Sequence, residues 1–486
     1  MTLIRFKVTS MTTKHHPYPT YRPSGVEWLG DVPDHWEVRR LRSVAEMRVS
    51  NVDKHSREDE YPVRLCNYVD VYKNDRITQA IPFMSATASW DEIERFRLEP
   101  GDVLITKDSE AWDDIGVPSL VVESADDLLS GYHLALLRPF KETLGAYLAL
   151  ALRSTAAAYQ FHVRANGVTR YGLTHAGIQS VQLSFPPLPE QHAIVRYLDY
   201  VDRRVRRYVG AERRLIALLE EEEQAIVNRA VTRGLDPNVP LKSSGVDWLG
   251  DVPAHWEVRR AKFFYREADE RSTTGTEELM SVSHITGVTP RKKSVTMFLA
   301  ESNMGYKLCR PDDIVINTMW AYMAALGVAR QNGLVSPSYG VYRPLNTERL
   351  NRDYVDSLLR TEAYRANYLI RSTGITSSRL RLYPESFLDI HLVCPPRSEQ
   401  DAIIEHLERE TAATTAAIAR ARRQIVLVQE YRTRLIADVV TGKLDVRDAA
   451  AQLPEEAEED EPIDENGLVA DNGEDRPFDV DGALED

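Results

Sequence analysis

From Glu190 to about Arg233 the apolar residues Val195, Leu198, Val205, Val209, Ile216, Leu219, Ile226 and Ala230 recur at heptad spacing. From Glu399 to about Val440 the residues Ile404, Leu407, Ile418, Ala421, Ile425, Val428, Leu435 and Val439 repeat the pattern. A 3-4 alternation broken only by polar residues such as Asp202, Glu223, Thr411 and Arg432 predicts two long coiled-coil helices. Each runs ~40 residues, or ~60 Å at ~1.5 Å per residue. Prolines precede them (Pro187, Pro189; Pro395, Pro396) and glycines follow (Gly234, Gly442), as start and stop signals. Neither stripe can stay in water. Packing one helix against the other covers both, and the compact block between them favours an antiparallel pair. The competing reading, a core helix in each of two domains, fits a length of ~8–20 residues better.

The blocks before each helix read as mixed α/β. Strand-like runs are Val103–Ile105, Leu134–Leu137, Val181–Leu183, Ile314–Ile316 and Ile390–Val393, and each block has one clear helical stretch, Leu144–Phe161 and Leu350–Leu369. Glycine and proline punctuation elsewhere predicts short strands and many loops.

The two halves echo one another. SGVEWLGDVPDHWEVRR from Ser24 recurs from Ser244 with fifteen of seventeen positions identical, and PPLPEQHAI from Pro186 recurs as PPRSEQDAI from Pro395. PGDVLITK (Pro100–Lys107) corresponds to PDDIVINT (Pro311–Thr318), Arg138-Pro139 to Arg343-Pro344, and Gly167-Val-Thr-Arg170 to Gly374-Ile-Thr-Ser377. An internal duplication follows. The expected organisation is a flexible start over 1–20, a variable block over 21–186, a helical spacer over 187–236, a second variable block over 237–394, a second helical spacer over 395–447 and a disordered acidic tail over 448–486.

Charge sharpens this picture. The net charge of −14 over 486 residues would argue against a polyanionic partner, yet Ala451 to Asp486 holds fifteen Asp or Glu and one basic residue, Arg476. The rest of the chain is therefore neutral, and the tail has a disordered composition. No apolar run reaches the ~20 residues of a membrane helix, so a membrane-spanning protein is not expected. Arg5 and Lys7 are followed by no apolar core, so no secretory signal is expected either. Residues 1–10 precede Met11, close to where the repeated plan begins, and fit a start codon placed too early. Three scattered cysteines, Cys66, Cys309 and Cys394, suit a reducing cytoplasm with neither disulfides nor a cysteine zinc site.

Catalytic signatures are missing: no phosphate loop, no G-x-G-x-x-G, no H-E-x-x-H and no G-x-S-x-G. The Asp/Asn-Pro-Pro-Tyr/Phe tetrapeptide that grips an adenine amino group is also absent, with Phe185 and Cys394 in the gripping place. The histidines do not fall at metal-ligand spacing with carboxylates.

What remains are polar and basic residues at strand ends and in loops. In the first block these are Lys107, Arg164, Asn166, Thr169, Arg170 and Tyr171; in the second, Asn317, Arg371, Thr376, Ser377, Ser378, Arg379 and Arg381. Arg reads guanine edges, Asn reads adenine, and Ser, Thr and Lys hold phosphates, so these are candidate DNA contacts. Singly, each could equally be a solvated loop residue. Together they occupy matching positions in the two halves and differ in composition there. Trp28, Leu29, Trp36 and their copies are read instead as core anchors, because modules that recognise different sequences should differ where they touch bases. The arginine pairs Arg203-Arg204, Arg206-Arg207 and Arg213-Arg214 are expected to line solvent or a partner surface, with a secondary phosphate contact as the alternative.

SGVEWLGDVPDHWEV, a variable block, PPLPEQHAIVRYLD, and a second copy of both resemble the specificity subunit of type I restriction-modification systems over about residues 17–447. The resemblance implies an α/β (α+β) fold: two mixed target-recognition domains separated by a long antiparallel coiled coil, with an internal pseudo-twofold repeat. It implies a non-catalytic subunit that reads a bipartite, asymmetric double-stranded DNA target. Two methyltransferase subunits, and restriction subunits through them, would methylate adenine and cleave. S-adenosylmethionine, ATP and Mg belong on that view to the partners, and this chain carries no cofactor. A stand-alone methyltransferase, an orphan specificity protein and a coiled-coil scaffold without DNA are the alternatives.

Overall fold

A computed structural model of the chain describes residues 16–52, 54–291, 302–374 and 380–454. They divide into two compact units, one formed by the residues up to Arg213 and from Arg423 on, the other by Arg214–Arg422.

In the first unit a five-stranded sheet runs in the order Ala45–Val49, Leu134–Pro139, Val103–Thr106, Pro118–Val121, Arg76–Ile77. Its central strands are buried on both faces, as continuous apolar runs such as Val103-Leu-Ile and Leu134–Leu137 require. The helices Gly145–Leu152 and Thr155–His162 lie beside it, and Tyr147, Leu148 and Phe161 enter the main core. A second sheet of Leu128–Ser130, Tyr61–Cys66 and Met84–Ala88 carries its own small core around Val63, Leu65 and Phe96.

The second unit has a four-stranded sheet, Tyr265–Glu267, Gly340–Pro344, Ile314–Ile316, Leu326–Val328. The helices Arg352–Leu359 and Glu362–Arg371 accompany it. The helical stretch expected over Leu144–Phe161 is thus two helices, and so is that over Leu350–Leu369. Neither Arg153-Ser154 nor Arg360-Thr361 holds a glycine or proline, so periodicity runs through the break. A hydroxyl makes it: Ser154 Oγ donates to Ala151 O at 2.7 Å and accepts from Ala157 N at 3.3 Å, while Thr361 Oγ1 donates to Leu358 O at 2.9 Å.

Each duplicated segment folds alike. Tyr21–Pro23 pairs with Asp31–Pro33, and Leu241–Ser243 with Asp251–Pro253. The following strand pairs antiparallel with the strand before the Pro-Pro motif: Glu37–Arg40 with Gln182–Phe185, and Glu257–Arg260 with His391–Cys394. The two sequence echoes are therefore neighbours. Trp36 and Trp256 are fully buried, as core anchors should be, and Leu29 is buried too. Trp28 departs from that expectation at 39% exposed, whereas its copy Trp248 sits edge-on to Tyr364, ring centroids 4.9 Å apart. The first-unit position matching Tyr364 is Ala157, which offers no ring.

The expected long helices are Leu188–Arg233 and Arg397–Val440, 46 and 44 residues. In the first unit Arg432 Nε donates to Asp202 and Tyr208 Oη donates to Gln424 Oε1 at 3.1 Å. Numbers rising on one helix meet numbers falling on the other, so the two run antiparallel there. In the second unit Arg422 Nη2 donates to Glu220 Oε1 at 2.8 Å. Leu198, Val205, Leu407, Ile418 and Leu435 are buried as the heptads require, and Ile216, Leu219, Ile226, Ile425 and Val428 are half-buried. At the helix starts the buried position moves by one: Ile194 and Ile403 are fully buried, and Val195 and Ile404 only half-buried. The first turns pack against the α/β cores, which turns the buried face away from the seam.

Two boundaries shift. Residues 1–15 of the expected flexible start, and 455–486 of the expected acidic tail, lie outside the described residues. Within the rest, Tyr18 is 3% exposed and part of the core, and Arg447–Ala451 is a helix with Ala450 buried. Tyr18 is held because its hydroxyl donates to Glu190 Oε1 at 2.7 Å and the Arg447 guanidinium lies over its ring. Among the described residues no helix is long and apolar enough to cross a membrane, no cluster of three or more His, Cys, Asp or Glu could hold a metal ion, and the three cysteines are buried and free.

Candidate nucleic-acid interface

In the first unit three segments converge where Val103–Thr106 and Leu134–Pro139 end. Leu134 pairs with Thr106, so Lys107 leaves the sheet where His133 enters it, and Lys107 N donates to His133 O at 3.0 Å. The loop expected after the helix is a small hairpin, Asn166–Gly167 against Tyr171–Gly172, and Tyr171 and Gly172 pair with Ser109 and Asp108. Leu173 N then donates to Lys107 O at 2.9 Å. Backbone bonds thus tie the candidate residues to a rigid strand end, where side chains are held more firmly than on a free loop.

The side chains there form a polar cluster. His133 Nδ1 lies 2.6 Å from Asp108 Oδ2, Lys107 Nζ 3.4 Å from the same oxygen, and Arg170 Nη2 3.4 Å from His133 Nε2. The Tyr132 ring stands between, its centroid 3.9 Å from that of His133 and 5.8 Å from Lys107 Nζ. His133 has φ of 72°, a left-handed backbone that a non-glycine residue adopts only where its surroundings hold it. Beside the cluster Tyr68 stacks on Tyr72, and burial leads the causes that raise the Tyr68 phenol.

Of the candidates in this block, Lys107, Arg170 and Tyr171 meet here, and Thr169 is exposed at the hairpin tip beside Val168, which is 89% exposed. Asn166 is exposed, with Nδ2 donating to Arg164 O at 2.8 Å. Arg164 is turned inward: Nη1 donates to Gln160 O at 2.6 Å and Nε to Ser180 Oγ at 3.2 Å, so it braces the helix end. Asp108, Tyr132 and His133 escaped the sequence reading. The available signal was the strand starting at Leu134, whose preceding residues had to face whatever followed Thr106.

In the second unit the same place is recognisable by register. Ile316 opposes Gly340 as Ile105 opposes Ala135, and Leu382 N donates to Thr318 O at 3.0 Å as Leu173 N does to Lys107 O. Thr318, Met319 and Ser338 therefore stand where Lys107, Asp108 and His133 stand. Asn317 Nδ2 donates to Tyr339 Oη at 3.1 Å, and its Oδ1 is buried with no partner among the described residues. Arg381 is exposed, with Nη2 3.9 Å from Met319 Sδ, and Trp320 is exposed beside it in sequence. Arg371 lies apart from the strand end, with Nε donating to Asn367 Oδ1 at 2.7 Å and Nη1 3.6 Å from Asp389. Thr376, Ser377, Ser378 and Arg379 lie outside the described residues.

A second cluster joins the first unit's sheet to its helices. Asp75 Oδ2 lies 2.8 Å from Arg153, 2.7 Å from Arg432 and 3.7 Å from Arg206, around a cavity of about 40 Å³. Burial pushes the Asp75 carboxyl up, but the three guanidinium groups outweigh it and hold it at about 2.

Residues 33–207 match the family described as the type I restriction modification DNA specificity domain. Over those residues the chain is similar to that domain. The match covers the sheet, the strand-end cluster and the start of the first long helix. The putative type I restriction enzyme MjaX specificity subunit of Methanocaldococcus jannaschii is 25% identical over 234 residues. That alignment takes in 47% of this chain and 52% of the relative, so the chain spans about half the length of the curated relative it matches. A solved chain from a study of complex assembly and conformational transition in a type I R-M system superposes with a TM-score of 0.56 at 15% identity, covering 85% of this chain and 99% of that one. The HsdS subunit from Thermoanaerobacter tengcongensis overlaps over 85% of this chain and 98% of its own at 16% identity, with a TM-score of 0.40. The likeness to the first of these solved chains is one of fold, mixed α/β with long helices.

Proposed function

We propose that the chain is the DNA-recognition subunit of a type I restriction-modification complex. Each unit reads one half of a bipartite, asymmetric double-stranded target in the major groove, and the long helices set the unread spacer. The observation that carries the reading is the contrast inside the duplication. The buried framework is alike in both halves, while Lys107, Asp108 and His133 are replaced by Thr318, Met319 and Ser338 at one strand end. Framework that is kept and edges that differ are what two readers of two different half-sites need.

On this reading the chain catalyses nothing itself. Two methyltransferase subunits methylate adenine in the target, and restriction subunits docked through them cleave; S-adenosylmethionine, ATP and Mg act in those partners. The described body has no basic excess of its own, so the isolated chain binds DNA weakly and loses that binding as salt rises. The test is methylation sequencing of a host carrying the chain with its partner subunits. Deleting one heptad from both helices should change the spacer and leave both half-sites as they were. An unchanged spacer, or a symmetric target, would overturn the reading.

A further inference from the structure

Resting on that reading, we infer that Asp108 and His133 are positioning residues that aim the Arg170 guanidinium at a guanine in the half-site read by the first unit. Arg170 is exposed and the framework does not use it as a brace, unlike Arg164 or Arg371. A long side chain on a hairpin tip would sample many rotamers, and a bidentate contact with guanine O6 and N7 requires one orientation of the fork. The structure supplies a reason for one orientation. Asp108 accepts the Nδ1 proton of His133 at 2.6 Å, which leaves Nε2 as an acceptor, and that acceptor faces Arg170 Nη2 at 3.4 Å. Among the described residues the other edge of the guanidinium has no hydrogen-bond partner and is left to read a base.

Two further observations converge on the same three residues. His133 is held at φ 72°, a costly left-handed backbone for a non-glycine residue, with its ring nitrogen 2.6 Å from Asp108. Gly172, on the same hairpin as Arg170, pairs with Asp108, so the group that orients the histidine also registers the hairpin. Met319 and Ser338 stand at the matching places of the second unit, which has no such carboxylate and imidazole there. The device belongs to one half-site.

The experiment uses the complete complex with its methyltransferase subunits and compares methylation of target variants changed one base pair at a time. Wild type should discriminate against each wrong base at one guanine of the first half-site by about 5- to 150-fold, the range a bidentate contact gives. Arg170→Ala should abolish that preference and leave every other position intact. His133→Asn tolerates the left-handed backbone and still reaches Asp108 but not Arg170; it should weaken the preference about tenfold at that base pair alone, with an unchanged melting temperature. Asp108→Asn should act at the same position. An Arg170→Ala effect that is uniform across sequences and lowers the salt slope by about one would make Arg170 a phosphate contact and overturn the inference. So would a His133→Asn effect spread over several positions. A wild-type complex with no sequence preference would overturn the proposed function itself; a normal preference unmoved by these variants overturns the inference alone.

Discussion

The Glu190 carboxylate, in the first turn of one long helix, accepts the indole Nε1–H of Trp36 at 3.2 Å. It also accepts the Tyr18 hydroxyl at 2.7 Å and faces His35 Nε2 at 2.8 Å, so one carboxylate fastens the duplicated segment to the helix start. In the second unit Glu399 faces His255 at 2.7 Å, while Trp256 Nε1 is buried without a partner among the described residues. Glu190→Ala strands several donors at ~1–3 kcal/mol each and should cost about 3 kcal/mol of stability, against about 1 for Glu399→Ala. Chemical denaturation of the two variants checks this, and equal costs would show that the Trp36 and Tyr18 bonds contribute nothing net.

Asp102, 2% exposed, receives Arg138 through Nε at 2.9 Å and Nη2 at 2.8 Å. Asp313 and Arg343 repeat the pair at 3.1 and 2.9 Å. Arg138→Ala leaves a buried carboxylate without its counter-charge and should cost about 3–5 kcal/mol. Adding Asp102→Asn to Arg138→Met should recover most of that loss in thermal melts, because the buried charge is then gone.

Gly442 ends the second helix at φ 79°, and a Cβ there would meet Pro33 Cδ at 2.3 Å. Gly234 ends the first helix at φ 76°, where the nearest contacts of a Cβ would be Glu399 Oε1 and the Trp256 ring at 3.2 Å. Both alanine variants incur the left-handed penalty of ~1–2 kcal/mol. Gly442→Ala adds a clash with backbone-bound proline and should be the more damaging by about 1–2 kcal/mol in melting experiments.

Asp75 carries a pH signature. Its carboxyl sits at about 2 rather than the ordinary 3.8, so the stabilisation is complete above about pH 4 and is lost as pH falls towards 2. Asp199 opposes it, since burial raises its carboxyl despite Arg76 and protonation there favours the folded state. With the Asp75 side chain 39% and its arginines 21–25% exposed, Asp75→Asn should cost about 2 kcal/mol at neutral pH, between surface and buried pairs. The gap from wild type should narrow below about pH 4 and close near pH 2; a gap constant with pH would remove the charge explanation.

Periodicity and duplication were legible because they are properties of spacing. The heptad stripes marked both long helices to within two residues at each end, and the apolar runs around Ile105, Leu136 and Val315 were strands, since burial on both faces leaves no polar residue to hide the pattern. The breaks at Ser154 and Thr361 were not legible, because a hydroxyl capping a helix looks like any polar residue until its partner carbonyl is known.

The same division holds at the strand-end cluster. Chain order alone put Lys107 and Arg170 in loops where nucleic acid could be met. What brought Asp108 and His133 to them was the strand register that sets Leu134 opposite Thr106 and Gly172 opposite Asp108, while bonds to Gln160 and Asn367 turned Arg164 and Arg371 away. Sequence by itself determined the elements, the repeat and the places where the halves diverge, because these depend on residues near one another along the chain. Which side chains share a surface was decided only by tertiary structure, because hydrogen-bonded register converts separations of 25 and 37 residues into contacts of 2.6 and 3.4 Å.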